Sequence, residues 1–195
     1  MSTNSPTDPN YETTLKHQFL FSMPQLQSDF FGSSLIYLCE HSAEGAMGLV
    51  VNKPSAMRLD EVFEQLELIS DRGLNQTPVF IGGPVSEDRG FLLHCRTDRN
   101  WQSSLSLSDG LQLTTSMDVL QAIADGEGPF EFLMALGYAG WDAGQLEDEL
   151  SRNLWLSCPA NLDILFRTPP AERLASAAAQ LGIDINLLSD QAGHA

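Results

Sequence analysis

Apolar positions along this chain follow two periods, and the alternation between them sketches the fold. His17 to Met23 carries bulky apolar residues and is closed by Pro24, the pattern of a first strand. Ser33 to Glu40 and Met47 to Asn52 form two further β-rich runs. The short loop between them, with Ser42, Glu44 and Gly45, predicts a hairpin. Leu59, Val62, Phe63 and Leu66 recur at helical spacing with Asp60, Glu61, Glu64 and Gln65 between them, which predicts an amphipathic helix lying on a core. Pro78 to His94 reads as strand, glycine loop and strand, and this predicts a central hairpin in which Gly82, Gly83 and Pro84 join Val79–Ile81 to Phe91–Leu93. Leu105 to Thr114 alternates on both sides of Asp109-Gly110, the strongest short hairpin signal in the chain.

The second half reads in the same way. Thr115 and Ser116 cap a helix striped by Val119, Leu120 and Ile123, and Gly126 stops it. Pro129 and the aromatics favour a strand over Phe130 to Leu136, against the helical preference of Met134, Ala135 and Leu136. Gln145 to Asn153 predicts a short helix with Glu147 to Glu149 facing water, and Trp155 to Ser157 an extended segment. Leu162 to Phe166 is a further short element. Pro169-Pro170 opens a last helix through Leu174, Ala177, Ala178 and Leu181, closed by Gly182.

Hairpins among interspersed helices disfavour a purely parallel doubly wound sheet. The expectation is one α+β domain over residues 15–186 with a mixed, largely antiparallel sheet flanked by helices, since 195 residues suit a single core. Residues 1–14 read as a disordered polar lead-in without a secretory pattern, and 187–195 as a loose tail.

Composition narrows the chemistry. No apolar run approaches the roughly 20 residues of a membrane-spanning helix, so a cytoplasmic protein with no membrane contact is expected. Ten basic residues against 26 acidic ones give a formal charge of −16, a field that opposes non-specific nucleic-acid binding. Arg89, Arg96 and Arg99 fall in one short segment, and Lys53 is a candidate to join them in a local basic spot. Cys39, Cys95 and Cys158 are far apart and odd in number, which argues against both a disulfide framework and a zinc ribbon. No metal and no cofactor is expected.

Four groups of residues have a chemical reading beside an ordinary one. Gly82 and Gly83 could form an anion-binding nest with Arg89, but Pro84 lacks an N–H and a close-packed glycine turn is the simpler reading. Cys39 and His41, two apart in a strand, share a face in regular geometry. They could pair as thiolate and imidazole or serve as two metal ligands, with His94 or Cys95 completing the set, or be a buried thiol and a strand-end hydrogen bonder, which is the simpler reading. Thr114 to Ser116 could offer a hydroxyl nucleophile or bind phosphate, though capping explains them. Tyr138 and Trp141, among Gly137 and Gly140, could be a stacking platform or core aromatics beside a bend.

In this order, Tyr37–His41, Gly45–Asn52, Ile81–Val85, Asp88–Phe91, Leu113–Ser116, Leu136–Trp141 and Gln145–Glu147 resemble the AlgH/YqgE family of bacterial proteins. Pro159-Ala160, Ile164–Phe166 and Leu181–Asp184 continue the likeness, which spans about residues 15 to 186. Leu174 departs from it, where the family often has Trp. The resemblance implies a cytoplasmic protein with a bifurcated mixed sheet curled toward a partial barrel. It carries a label of transcriptional regulation and no catalytic residues. Together these readings predict a non-enzymatic regulatory or binding protein acting through protein contacts or a small anionic ligand, with Gly82, Gly83, Arg89, Tyr138, Cys39 and His41 as candidate site residues. The alternatives are an enzyme using Cys39 and His41, and a regulator that does not bind DNA non-specifically.

Overall fold

The computed structural model describes residues 14–26, 30–108 and 110–185. The expected lead-in before residue 14, the tail from 187 and the turn residue Asp109 therefore lie outside the described residues. Ten strands form the frame: β1 (Gln18–Ser22), β2 (Leu35–Ser42), β3 (Gly45–Val50), β4 (Pro54–Arg58), β5 (Pro78–Ile81), β6 (Val85–Cys95), β7 (Ser104–Ser108), β8 (Leu111–Thr114), β9 (Phe132–Asp142) and β10 (Trp155–Pro159). Four α-helices accompany them: α1 (Leu59–Gln65), α2 (Met117–Asp125), α3 (Gln145–Ser151) and α4 (Pro170–Ala179). Leu162–Phe166 resolves into a π-helical turn at Asp163–Arg167, and β4 had no sequence signal because it opens on Pro54 and none of its positions is fully buried, which masks its alternation.

The strand order is β10-β1-β2-β3-β9-β6-β8-β7, with β5 also pairing β9 and β4 pairing β5. All of these pairings are antiparallel except β5 with β9. The sheet curls strongly into a half-barrel flanked by helices, the α+β class that the hairpins predicted with the curl that the family resemblance implied.

The central hairpin does not exist. β5 runs parallel to β9, with Val79 opposite Met134 and Ile81 opposite Leu136, while β6 runs antiparallel along the other edge of β9. β9 therefore lies between the two strands that the glycine loop joins, and the loop must cross over it. Glycine makes that crossing possible. An ideal β-carbon on Gly83 would lie 1.9 Å from the carbonyl carbon of Tyr138, and one on Gly82 would lie 2.3 Å from the carbonyl oxygen of Gly137. Gly82 N–H donates to Leu136 O at 2.8 Å, and Gly82 O accepts from Val50 N–H at 2.8 Å. Backbone rests on backbone, and both loop glycines are buried.

β9 is also where the sheet divides. Its first half pairs with β5, and beyond Gly137 the same edge pairs with β3, Gly48 opposite Ala139 and Gly45 opposite Asp142. Gly137 adopts φ +71, and the alternation of side chains shifts by one there. Leu133, Ala135 and Tyr138 face the interior of the curl, whereas Ala139 and Trp141 face outward.

Three cores follow from this shape. The interior of the curl joins Phe19, Tyr37, Leu49, Phe91, Leu93 and Leu133 with the π-helical turn and α4. On the outer face of the β5-β9-β6 region, α1 and α2 bury Leu59, Phe63, Val119 and Ile123 against Val79, Leu92 and Met134. Around β1 to β3, α3 covers Leu20, Leu38 and Trp155 with Leu146.

The acidic run of α3 is more than a solvated face. Glu149 Oε2 accepts from Trp141 Nε1–H at 2.9 Å and from Trp155 Nε1–H at 2.7 Å, satisfying two indoles that are almost wholly buried. Glu149 Oε1 accepts from Gln145 at 2.9 Å. Only Asp148, paired with Arg152, behaves as a surface charge of the expected kind.

Candidate functional site

The position of Arg89 is set by an irregularity in β6. Val85 stands opposite Tyr138 and Gly90 opposite Leu136, so five steps along β6 match two along β9. Ser86 to Arg89 are pushed out of the ladder, with Ser86 at φ 51, a conformation that L side chains adopt sparingly. Such a bulge re-aims side chains. Arg89 is carried outward, with its guanidinium 5.3 Å from the centre of the Phe91 ring. No carboxylate lies within ion-pair distance of it among the described residues.

Arg89 overlooks a groove of about 790 Å³ on the concave side of the half-barrel. Phe91, Met47 and Tyr138 form apolar wall, with Phe91 and Tyr138 edge to face at 5.7 Å. Ser103, Ser104, Thr115 and the Tyr138 phenol bring hydroxyls to the same space. Those of Ser103 and Thr115 are 3.0 Å apart. Glu40, Glu44 and Asp142 occupy another part of the lining, and Glu40 is neutralised by Lys16 at 2.7 Å.

Behind the hydroxyls is a buried relay. His94 is fully buried on β6, and its Nδ1 lies 2.8 Å from Cys95 O, so Nδ1–H donates and Nε2 remains as the acceptor. Nε2 lies 2.9 Å from Thr114 Oγ1, which lies 2.9 Å from Ser104 Oγ. Burial holds the imidazole below its usual pKa and keeps it neutral. The relay satisfies a buried polar core and orients Ser104.

The six residues singled out from sequence do not converge. Arg89 and Tyr138 share the groove. Gly82 and Gly83 lie under it at the β9 crossing, where the Gly82 amide is already bonded to Leu136. Cys39 is fully buried in the interior core, and burial pushes its thiol pKa far up.

His41 is on the opposite face from Cys39. The β2–β3 register slips between Leu38 and Glu40, so Cys39 is the extra residue of a bulge. The slip reverses the expected shared face: Glu40 and Ser42 turn into the groove, and His41 turns out toward α3. There Nδ1 accepts from Leu15 N–H at 3.1 Å and Nε2–H donates to Glu147 at 2.7 Å. The local backbone amide first, and then the bond from His41, hold the Glu147 carboxyl below its usual range.

The basic spot also disperses. Arg99 stacks on Trp101 and pairs with Glu127, and Lys53 donates to Phe30 O. Arg89 stands on β6, whereas Arg99 lies beyond the end of that strand at Cys95 and outside the lining that Arg89 shares. Ser103, Ser104 and Phe91 were missed as site residues. Their signal was the run of hydroxyls at 103–104 facing a second run at 114–116 across the β7–β8 hairpin.

A second, more apolar groove of about 480 Å³ adjoins the first. It runs between α1 and α2 over β6 and β9, lined by Met57, Leu66, Met117, Leu120, Met134 and Leu136. Arg89, Phe91 and Thr115 line both grooves.

Comparison with known proteins places this architecture. A UPF0301 protein of Thioalkalivibrio sulfidiphilus is 52% identical over 179 residues, covering 92% of this chain and 96% of that protein. One from Stutzerimonas stutzeri is 53% identical over 193 residues, covering 97% and 98%. The solution structure of the AlgH protein from Pseudomonas aeruginosa superposes with a TM-score of 0.77 at 49% identity, covering 98% of this chain and all of that one. A Corynebacterium diphtheriae protein of 18% identity shares the fold, with a TM-score of 0.69 over 97% and 94% of the two chains. The AlgH-like family model matches residues 19–186, which include the crossing glycines, the β6 bulge and the whole of β9, and on that match the chain belongs to the AlgH-like family.

Proposed function

We propose that this protein is a non-enzymatic binding protein whose concave groove takes a small, singly charged anion at Arg89. One observation carries the reading: in a chain with 26 acidic residues, a guanidinium displaced from β6 by a bulge stands over a hydroxyl-lined groove and makes no ion pair among the described residues. A charge-assisted hydrogen bond to Arg89, with donors from Ser103, Ser104, Thr115 or Tyr138, suits a carboxylate or a monoester head group. Glu44 and Asp142 in the same lining oppose a polyanion. Nucleoside triphosphates are thereby disfavoured.

A thiol enzyme built on Cys39 and His41 finds no support in a buried thiol and an imidazole on opposite faces. Regulation through a ligand-dependent protein contact is compatible with this reading, and the charge of −16 weighs against direct DNA contact.

The test is thermal unfolding with a panel of singly and multiply charged carboxylates and phosphates. A bound monoanion stabilises by about 2.7 kcal/mol at a hundred times its dissociation constant. Arg89→Gln, which alters an exposed residue, should abolish that stabilisation while moving intrinsic stability by no more than about 0.5 kcal/mol. A ligand whose stabilisation survives Arg89→Gln, or the absence of any stabilising anion at millimolar concentration, would refute the proposal.

A further inference from the structure

We infer that the ligand is an amphiphile, whose anionic head sits at Arg89 and whose hydrocarbon tail fills the apolar groove between α1 and α2. This rests on the reading of Arg89 as the anion anchor and adds the chemical class of the rest of the molecule. Continuity is the first argument. Arg89, Phe91 and Thr115 belong to the walls of both grooves, so a head at Arg89 has an exit on each side, one polar and one apolar.

The character of the second groove is the next argument. Methionines and leucines dominate it, and two of them are left open to water in the free protein: Leu66 is 37% and Met117 46% exposed. Exposed large apolar residues along a cleft are covered at a gain by apolar surface of matching width. Three methionines, Met57, Met117 and Met134, add unbranched side chains that repack around a flexible chain.

Charge decides which end of the ligand goes where. Arg89 is the one basic side chain in either lining. Asp88 and Gln65 are the charged and amide groups beside it in the apolar groove, and Asp88 makes no ion pair with Arg89. An anionic head is therefore held at the junction and a cationic one is not. A long dianion is opposed by Asp88 on one side and by Glu44 and Asp142 on the other. One head charge and one tail fit both walls.

Titration calorimetry of the full chain with sodium n-alkanoates from butanoate to dodecanoate, below their micelle thresholds, tests this. Affinity should rise about fourfold per added methylene and level off once the groove is filled. Arg89→Gln should weaken every member by a common factor of about ten or more. Met117→Gln and Leu66→Gln alter exposed positions without adding charge, and they should flatten the chain-length dependence while leaving butanoate binding intact.

Four outcomes overturn the inference. Arg89-dependent binding with no chain-length gain leaves the anion site standing and removes the tail. A gain that survives both glutamine variants puts the tail elsewhere. Equal binding of n-alkyltrimethylammonium ions of the same lengths removes the charge argument. Binding of no alkanoate by protein with a native urea transition removes the amphiphile and, if the wider anion panel is also silent, the Arg89 site with it.

Discussion

Gly83→Ala is the sharpest perturbation available in this fold. The added methyl would lie 1.9 Å from the carbonyl carbon of Tyr138, 2.1 Å from its oxygen and 2.2 Å from the nitrogen of Ala139, all backbone atoms of β9. A side chain can turn away, but a strand paired on both edges cannot. Relief to ordinary contact near 3.5 Å needs a separation of well over 1 Å between the crossing loop and β9. That motion breaks the hydrogen bonds from Gly82 N–H to Leu136 O and from Val50 N–H to Gly82 O, both 2.8 Å.

Each buried backbone group left without a partner costs about 1–3 kcal/mol, and overpacking a tight site adds about 1–3 kcal/mol. Counting one such group for each of the two bonds, the total is about 3–9 kcal/mol, a large share of the roughly 5–15 kcal/mol that holds a typical domain folded. Urea unfolding followed by tryptophan fluorescence and circular dichroism would measure it. Gly144→Ala is the control, because its β-carbon meets nothing within 4 Å and its φ of +75 leaves only local backbone strain, of about 1–2 kcal/mol. A Gly83→Ala protein that unfolds within about 1 kcal/mol of the native chain, with unchanged m-value, would show that the crossing is not tight and that the glycines are there for another reason.

Glu149→Ala strips the acceptor from two buried indole N–H groups and should destabilise by about 2–5 kcal/mol, whereas Glu149→Gln keeps an acceptor and should lose less; equal losses in urea unfolding would contradict the role of that carboxylate. His94 supplies a pH dependence of definite sign. Its folded pKa is depressed by burial, so below the ordinary imidazole value of about 6.5 the unfolded chain binds the extra proton first. Stability should fall as pH drops through that region toward the depressed value, and in His94→Asn the slope should shrink; an unchanged slope would show that another group titrates there.

Much of the frame was legible in the sequence because it depends on local period and turn chemistry. The β2–β3 and β7–β8 hairpins, α1, α2 and α4 all follow from alternation, caps and glycine stops in adjacent residues. The β5–β6 pair shows where such reading ends. Two strands on either side of a glycine loop carry the same local signal whether they pair with each other or with a third strand from fifty residues on, and only the pairing with β9 separates the two cases.

The site divides along the same line. Arg89 and Tyr138 stood out by type and neighbourhood, and both line the groove. Cys39 and His41 were grouped by strand parity, and one inserted residue in the β2–β3 register sent them to opposite faces. Register is a long-range property, since it is set by which residues of another strand win the pairing. Local pattern carried most of the elements, the charge, and glycines where backbone must meet backbone. The tertiary structure alone decided which strand divides the sheet, where the bulges fall, and hence that a single arginine stands between a polar groove and an apolar one.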